Sequence, residues 1–439
     1  MRLSIGIRQY PIAAVLSWLL LTFLVLFPKG GVKVGDTPLT WGYLILGLTA
    51  VPLGLVRLIA FPLEFSPRVM FAMASVVPFQ VIYIFSYFKN GVDDLGYAIS
   101  IFVSFFVLPG VFLLVYPPFL SHINGARFER YLRTCILTAA IYGIFLFFWH
   151  PLTGHFIEVP YLTINAADYG LLETTKSIAR GDFFKLIATY NNGNLYGVAT
   201  LILLPLYNLL EPKRWRRNVM KVALVLTLSR TVWAGLVVDQ VLSLLWLLRG
   251  SIITFPRLYL GGATKRVVAV FAMIGLVFSA LLFNSNTIAF LFDPTLGGRS
   301  GESAAFLHPT FLPDMPLAGF AEMLYSSALT DYGVVGLLSI LLIFLGPLLL
   351  FITNVQIVQS PVRKAALKGL ILYAIVATID GATNLIPVMA FYWFAYMVFL
   401  FGLPGESQKV MLDKTVPQAK PSIRNGESLV VADLIHATG

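Results

Sequence analysis

Long apolar runs, broken by short polar turns, fill most of the chain. An α-helix needs about 20 such residues to cross the roughly 30 Å hydrocarbon core of a bilayer. Taken in order, the runs predict spans at roughly 11–27, 40–61, 68–88, 97–120, 131–149, 194–210, 219–229, 231–249, 266–286, 327–353, 366–384 and 386–404. That pattern, about twelve helices, predicts an all-α polytopic membrane protein. Residues 1–404 are expected to form a single transmembrane domain, and 405–439, which is polar and carries Pro and Ser, a disordered cytoplasmic tail. Two connections are long, at about 150–194 and about 284–326. Loops beyond about 12–15 residues usually carry function. Both contain apolar and aromatic stretches, such as Phe183-Phe184-Lys185-Leu186-Ile187. Such stretches predict short amphipathic helices on the membrane face, so both large loops should be partly helical.

Charge orients the chain. Only 12% of residues are charged and 58% are hydrophobic, against about 25% charged in a soluble domain. Lys and Arg concentrate in cytoplasmic loops. With both termini inside, 23 of the 31 Lys and Arg residues fall on the cytoplasmic side, including Arg57, Arg127, Arg130, Arg133, Arg216, Arg217, Arg363 and Lys368. The two long loops of this multi-pass protein then face the side of the membrane away from the cytoplasm. The net charge of +10 reflects flanks facing anionic lipid, so membrane lipids are expected partners and nucleic acid is not. The first apolar run has no small-residue cleavage site after it and reads as an uncleaved helix. The single cysteine, Cys135, lies in an apolar run and has no pairing or metal-ligand companion.

The eight outer-face cations direct attention to chemistry. Arg230 follows Thr227-Leu228-Ser229 and precedes an apolar run, at the depth where an ionisable group faces protein, water or a ligand. Arg180 lies in Arg180-Gly181-Asp182, ahead of Thr189-Tyr190-Asn191-Asn192-Gly193-Asn194. Asn194 is the expected N-cap of the next span, whose free N–H groups suit phosphate. Lys176 and Lys185 flank that loop and read as solvated charges. Arg299, in Gly297-Gly298-Arg299-Ser300-Gly301, can clamp a diphosphate with two parallel hydrogen bonds. His308 and Glu322 are the acid–base candidates of the second loop. Apolar surface beside Glu322 would raise its pKa. The Asp93-Asp94 pair reads as a solvated turn. Walker-type loops, His-Glu-x-x-His, paired cysteines and Gly-x-Ser-x-Gly are missing from the sequence. Neither a cofactor nor a metal is therefore expected. The driving force would come from an activated substrate, and a lipid diphosphate sugar, whose leaving group Arg residues can stabilise, meets that need.

Three passages resemble the O-antigen polymerase and O-antigen ligase superfamily. Thr189 to Gly197 is similar to the family's Asn-Pro-Asn approach to a span. Leu228-Ser229-Arg230 is similar to its Ser-Arg turn. Pro316-Leu317-Ala318-Gly319-Phe320, followed by Asp331-Tyr332-Gly333-Val334-Val335-Gly336, is similar to the passage that closes its large periplasmic loop. The resemblance covers roughly residues 180–345. It implies a metal-independent glycosyltransferase whose active site faces the periplasm and whose donor is an undecaprenyl-diphosphate glycan. On matching positions, Arg180, Arg230 and Arg299, with Asn194, would hold the diphosphate, and Glu322 or His308 would deprotonate the acceptor. Family ligases carry a histidine about eleven residues before the closing glycine, where this chain has Glu322. That departure favours a polysaccharide polymerase acting on lipid-linked repeat units, with a chain-length regulator as a further partner, over a ligase acting on lipid A core. A lipid-linked oligosaccharide flippase is the rival of another class, and transporters tend to show internal repeats, which this sequence lacks.

Overall fold

The computed structural model describes residues 11–34, 37–60, 66–175, 178–180, 183–251, 309–353, 360–383 and 386–404. The expected span at 266–286, much of the second long loop and the tail lie outside them. The described chain is mostly helical. Its helices are α1 (Pro11–Leu21, continued without a break by the π turn Thr22–Leu26 that forms its end), α2 (Trp41–Ala60), α3 (Pro67–Asn90, bent at Ser75-Val76), α4 (Leu95–Val115) and α5 (Gly125–Thr153). They continue with α6 (Gly193–Leu210), α7 (Arg214–Leu226), α8 (Arg230–Ser251), α9 (Leu324–Thr353), α10 (Pro361–Val376) and α11 (Ile386–Phe401). Among the described residues, six helices are long and apolar enough to cross a membrane: α2, α3, α4, α5, α6 and α9.

Side-chain caps set several helix starts. Ser66, Asp94, Asn124 and Ser360 each accept a hydrogen bond from a first-turn N–H of α3, α4, α5 and α10. Asp94 of the Asp-Asp turn is thus a capping residue. Three expected boundaries move. The expected span at 219–229 is instead a helix over Arg214–Leu226, only about 20 Å long at 1.5 Å per residue. The expected span at 366–384 stops being helical after Val376, where Asp380 and Gly381 bond to other elements. The run at 327–353 is interrupted at Gly333, whose φ of 70° and ψ of −174° break α9 into two helical parts. There the chain makes room for the incoming loop: Val334 N donates to Thr310 O (2.9 Å) and Val335 N to Phe311 O (3.3 Å).

The centre of the bundle is α6, α10 and α11. Within α6, 78% of the apolar window is buried; within α2, which lies at the margin, only 22%. At Gly369 a Cβ would collide with the Ile202 carbonyl, so the lack of a side chain sets how closely α10 crosses α6. The core is rich in aromatics whose polar tips find helix carbonyls, as buried tyrosine and tryptophan require. Tyr392 donates to Ile343 O at 2.8 Å, Tyr325 to Ala374 O at 2.8 Å, and Trp393 Nε1 to Ser104 O at 2.8 Å. Across this core Lys368 of α10 lies 2.5 Å from Asp239 of α8, and its Nζ also donates to Ser243 Oγ. Lys368 is therefore a half-buried helix residue, 12% exposed in its side chain, and not, as the charge pattern suggests, part of a loop.

The first long loop carries little helix, contrary to expectation. Its described residues hold one α-helical turn (Leu172–Thr175), 3-10 turns at Ala166–Asp168 and Ala188–Tyr190, and an antiparallel pair of β3 (Ala179–Arg180) with β4 (Phe183–Phe184). Phe183 and Phe184 alternate faces as a strand, and the following residues turn inward instead of continuing a helix. A second hairpin, β1 (Gly31–Val34) with β2 (Thr37–Thr40), reaches this loop through the Gly31–Asn165 bridge and the Lys33–Asp168 pair. Glu173 ties the loop to the end of α5, lying 3.5 Å from His150 Nε2 and accepting from Phe156 N at 3.0 Å.

Candidate functional site

The loop between β4 and α6 turns inward at Lys185. Lys185 N donates to Ile178 O (2.9 Å) and Leu186 N to Leu226 O (3.0 Å), which fixes the loop against the end of α7. The turn at Ala188–Tyr190 then caps α1: Thr189 Oγ1 donates to Leu26 O, and Tyr190 Oη to Val25 O at 2.8 Å. These are carbonyls that a helix end leaves without intrahelical partners. Burial pushes the Tyr190 phenol well above its usual pKa, so it stays protonated and remains a donor. Asn191, in the left-handed conformation (φ 57°), delivers the chain to α6.

The N-cap of α6 is Asn192, not Asn194. Asn192 Oδ1 accepts from Asn194 N (2.8 Å) and Leu195 N (3.3 Å). The cap occupies two of the N–H groups that were expected to be left for phosphate, those of Asn194 and Leu195. The Asn194 side chain is free to act elsewhere. Its Oδ1 accepts from Lys185 Nζ at 3.2 Å, and its Nδ2 donates to Asp380 Oδ2 at 2.8 Å. The amide orientation follows from the charges: oxygen toward the ammonium, nitrogen toward the carboxylate. Lys185 is 2% exposed and Asp380 3%, so this is a buried cation–amide–anion chain and Lys185 is no solvated charge. Gly193 allows it, because a Cβ there would meet the Lys185 side chain at 2.8 Å.

The other predicted residues stand around this chain at different removes. Glu322 enters through its backbone: Gly381 N, next to Asp380, donates to Glu322 O at 2.8 Å, while the Glu322 side chain is exposed. Arg230 is the first residue of α8 and half-buried. It follows a turn in which Leu228, 2% exposed, holds a positive φ of 49° against Phe147, Phe183 and Trp233. A branched residue in that conformation is strained, and such strain concentrates at functional turns. Arg180, on β3 opposite Phe183, is half-buried and donates to Ala179 O at 2.8 Å. Arg299 and His308 lie outside the described residues. Among those described, no group of three or more His, Cys, Asp or Glu residues is placed to hold a metal.

Lys185 and Asp380 were not among the predicted site residues. Asp380 had a readable signal, an acid inside an apolar run. Lys185 had none, because a lysine between Phe184 and Leu186 in a loop looks like any interfacial charge. Comparison with protein-family models and with curated protein sequences finds no match for this chain.

Proposed function

We propose that the protein is a polysaccharide polymerase, with about twelve spans, both termini in the cytoplasm and its chemistry at the periplasmic face. It would transfer a growing glycan from an undecaprenyl diphosphate to the terminal sugar of another lipid-linked repeat unit. The supporting observation is the buried Lys185–Asn194–Asp380 chain beside the Glu322 backbone. Such a chain supplies fixed charge of both signs, and Leu186, next to Lys185, bonds Leu226, four residues before Arg230. A fixed cation stabilises charge developing on a leaving diphosphate, and a carboxylate can take the proton of an acceptor hydroxyl. Arg180, Arg230 and Arg299 would hold the diphosphate in this reading, with Glu322 or His308 as base.

The test is reconstitution of the purified protein in vesicles with a lipid-linked repeat unit and no nucleotide sugar. The proposal expects a ladder of longer lipid-linked glycans. Transfer only to added lipid A core would make it a ligase. A second reading, flipping of a lipid-linked oligosaccharide, is favoured by the Asp239–Lys368 pair, since ionisable residues inside apolar helices often serve transport pathways. Movement of a labelled lipid across the vesicle without new glycosidic bonds would select it.

A further inference from the structure

A cavity of about 80 Å³ lies between the marginal helix α2 and the bundle, far along the chain from the chemistry discussed above. Its walls come from α1 (Leu20, Leu24), α2 (Leu53), the end of α4 (Phe112), α5 (Phe128) and α11 (Phe394). The polar atoms at its wall are engaged with each other: Thr49 and Tyr116 share a hydrogen bond of 2.6 Å, and Thr49 Oγ1 also donates to Leu46 O at 3.0 Å. A water needs two to four polar partners to settle in such a space; here the Thr49 and Tyr116 hydroxyls are already paired, Ser17 stands at the rim, and the other lining residues are apolar. Hydrocarbon is the occupant that fits. Ser17, Leu20, Leu53 and Leu120 are half-buried and form a rim. Beyond it the outer face of α2 exposes Leu48, Leu55 and Leu58, as a helix facing lipid does.

One end of this cavity is basic. Arg57 stands four residues after Leu53, on the same face of α2 and within its last turn. Arg127 precedes the wall residue Phe128 and stands one turn before Tyr131. Tyr131 packs against Trp18 of α1 and shares a 2.6 Å hydrogen bond with Thr22. Both arginines therefore stand at the end of the bundle from which α5 starts, Arg57 one turn beyond and Arg127 next to a residue that lines the cavity. A hydrocarbon slot with guanidinium groups at that end of the bundle matches a lipid that combines an acyl chain with a phosphate head.

We infer that this is a binding site for one anionic phospholipid of the leaflet on that side, with an acyl chain between α2 and the bundle and its phosphate at Arg57 and Arg127. The lipid would fill the space that sets α2 apart from the core. The full-length protein should be reconstituted in vesicles of phosphatidylglycerol and phosphatidylcholine in equal amounts, extracted mildly and weighed with its retained lipid by native mass spectrometry. The wild type should keep one phosphatidylglycerol per chain, in about tenfold preference over phosphatidylcholine. The surface variant Arg57→Gln with Arg127→Gln should lose that preference while its melting temperature in lipid-free detergent is unchanged. Ala390→Phe, which fills the cavity from α11, should lose both lipids; Leu53→Phe, from the rim, is the milder check if the first fails to fold. Equal retention of the two lipids by the wild type would overturn the proposal. So would a preference untouched by the arginine variant, or displacement of phosphatidylglycerol by an equimolar polyprenyl phosphate.

Discussion

Asn194 Nδ2 donates to Asp380 Oδ2 at 2.8 Å, joining the first turn of α6 to the chain leaving α10 across 186 positions of sequence. The same amide accepts from Lys185. One uncharged side chain thus bridges a cation and an anion through hydrogen bonds, in a place where both are almost fully enclosed. It also explains why α10 unwinds at its end: the Asp380 carboxylate must face α6, while Gly381 N reaches back to Glu322 O and Tyr373 Oη donates to Gly381 O at 2.7 Å.

That arrangement predicts a charge-order effect. Asn194→Asp places a carboxylate against Asp380, so the variant should lose about 1–3 kcal/mol of stability. Adding Asp380→Asn restores one cation, one amide and one anion in exchanged order. The double variant should recover at least half of the lost melting temperature in detergent. A double variant less stable than either single one would show that the chain is not the unit described.

The Asp239–Lys368 pair behaves differently because the two charges meet directly. Asp239 has 3% of its side chain exposed and Lys368 12%. Removing one partner leaves the other without its counter-charge, with the Ser243 or Gln240 hydrogen bond remaining, which in comparable pairs destabilises by about 3–5 kcal/mol. Asp239→Leu and Lys368→Met should each reach that range, and the double variant Asp239→Leu with Lys368→Met should be nearer the wild type than either. Thermal unfolding of the four proteins closes the cycle. Additive losses would mean that the 2.5 Å contact carries no coupling.

These two clusters also mark where the sequence is legible and where it is not. Helix positions are readable because apolar periodicity and caps such as Asp94 and Asn124 act locally. Gly333 is readable as a motif glycine, but not as the place where α9 breaks, because the cause is a loop strand arriving from Thr310 and Phe311. The first long loop reads as amphipathic helix from composition, yet β3 pairs with β4 there, a contact that composition does not encode. Attention to outer-face cations finds Arg180 and Arg230. It passes over Asp239, Asp380 and Lys368, whose partners lie more than 100 positions away in three-dimensional contact.

If the diphosphate reading holds, Arg230→Ala should lower polymerisation by about 10²–10³-fold, the usual loss for one group stabilising developing negative charge. Arg230→Lys should recover little, because an ammonium cannot donate two parallel bonds to linked phosphates. Arg299→Ala should behave in the same way. Chain-length profiles of the lipid-linked product, measured on protein with wild-type membrane insertion, decide the matter. Unchanged profiles in both alanine variants would remove these residues from the site.

Gly333→Ala tests the break in α9. With φ at 70°, alanine is strained there, and its Cβ would lie 2.7 Å from Phe311 O. The loop from Thr310 should detach, losing its bonds to Val334 and Val335, while the helix beyond them stays intact. Limited proteolysis should then cut between residues 309 and 320 many times faster than in the wild type, with helix content by circular dichroism preserved. Equal cleavage rates would mean that this contact does not hold the loop.

The hairpin that clips onto the first long loop offers a contrast between a contact that looks strong and one that is. Lys33 and Asp168 approach to 2.6 Å, but their side chains are 33% and 21% exposed. Exposed pairs contribute about 0.2–1 kcal/mol, and this one should fall at the lower end and fade in salt. Gly30 makes no ionic contact, yet a Cβ there would stand 2.6 Å from Tyr161 O, the carbonyl that accepts from Trp41 Nε1. Backbone cannot withdraw as a flexible side chain can, so the hairpin and residues 159–165 must separate to admit a methyl group. Gly30→Ala should therefore lower the melting temperature several times more than Lys33→Ala, and should speed hydrogen exchange at Leu162 and Thr163, whose amides bond Val159 O. Should Lys33→Ala prove the more damaging substitution, the ion pair and not the close backbone contact would be what fastens the hairpin to the loop.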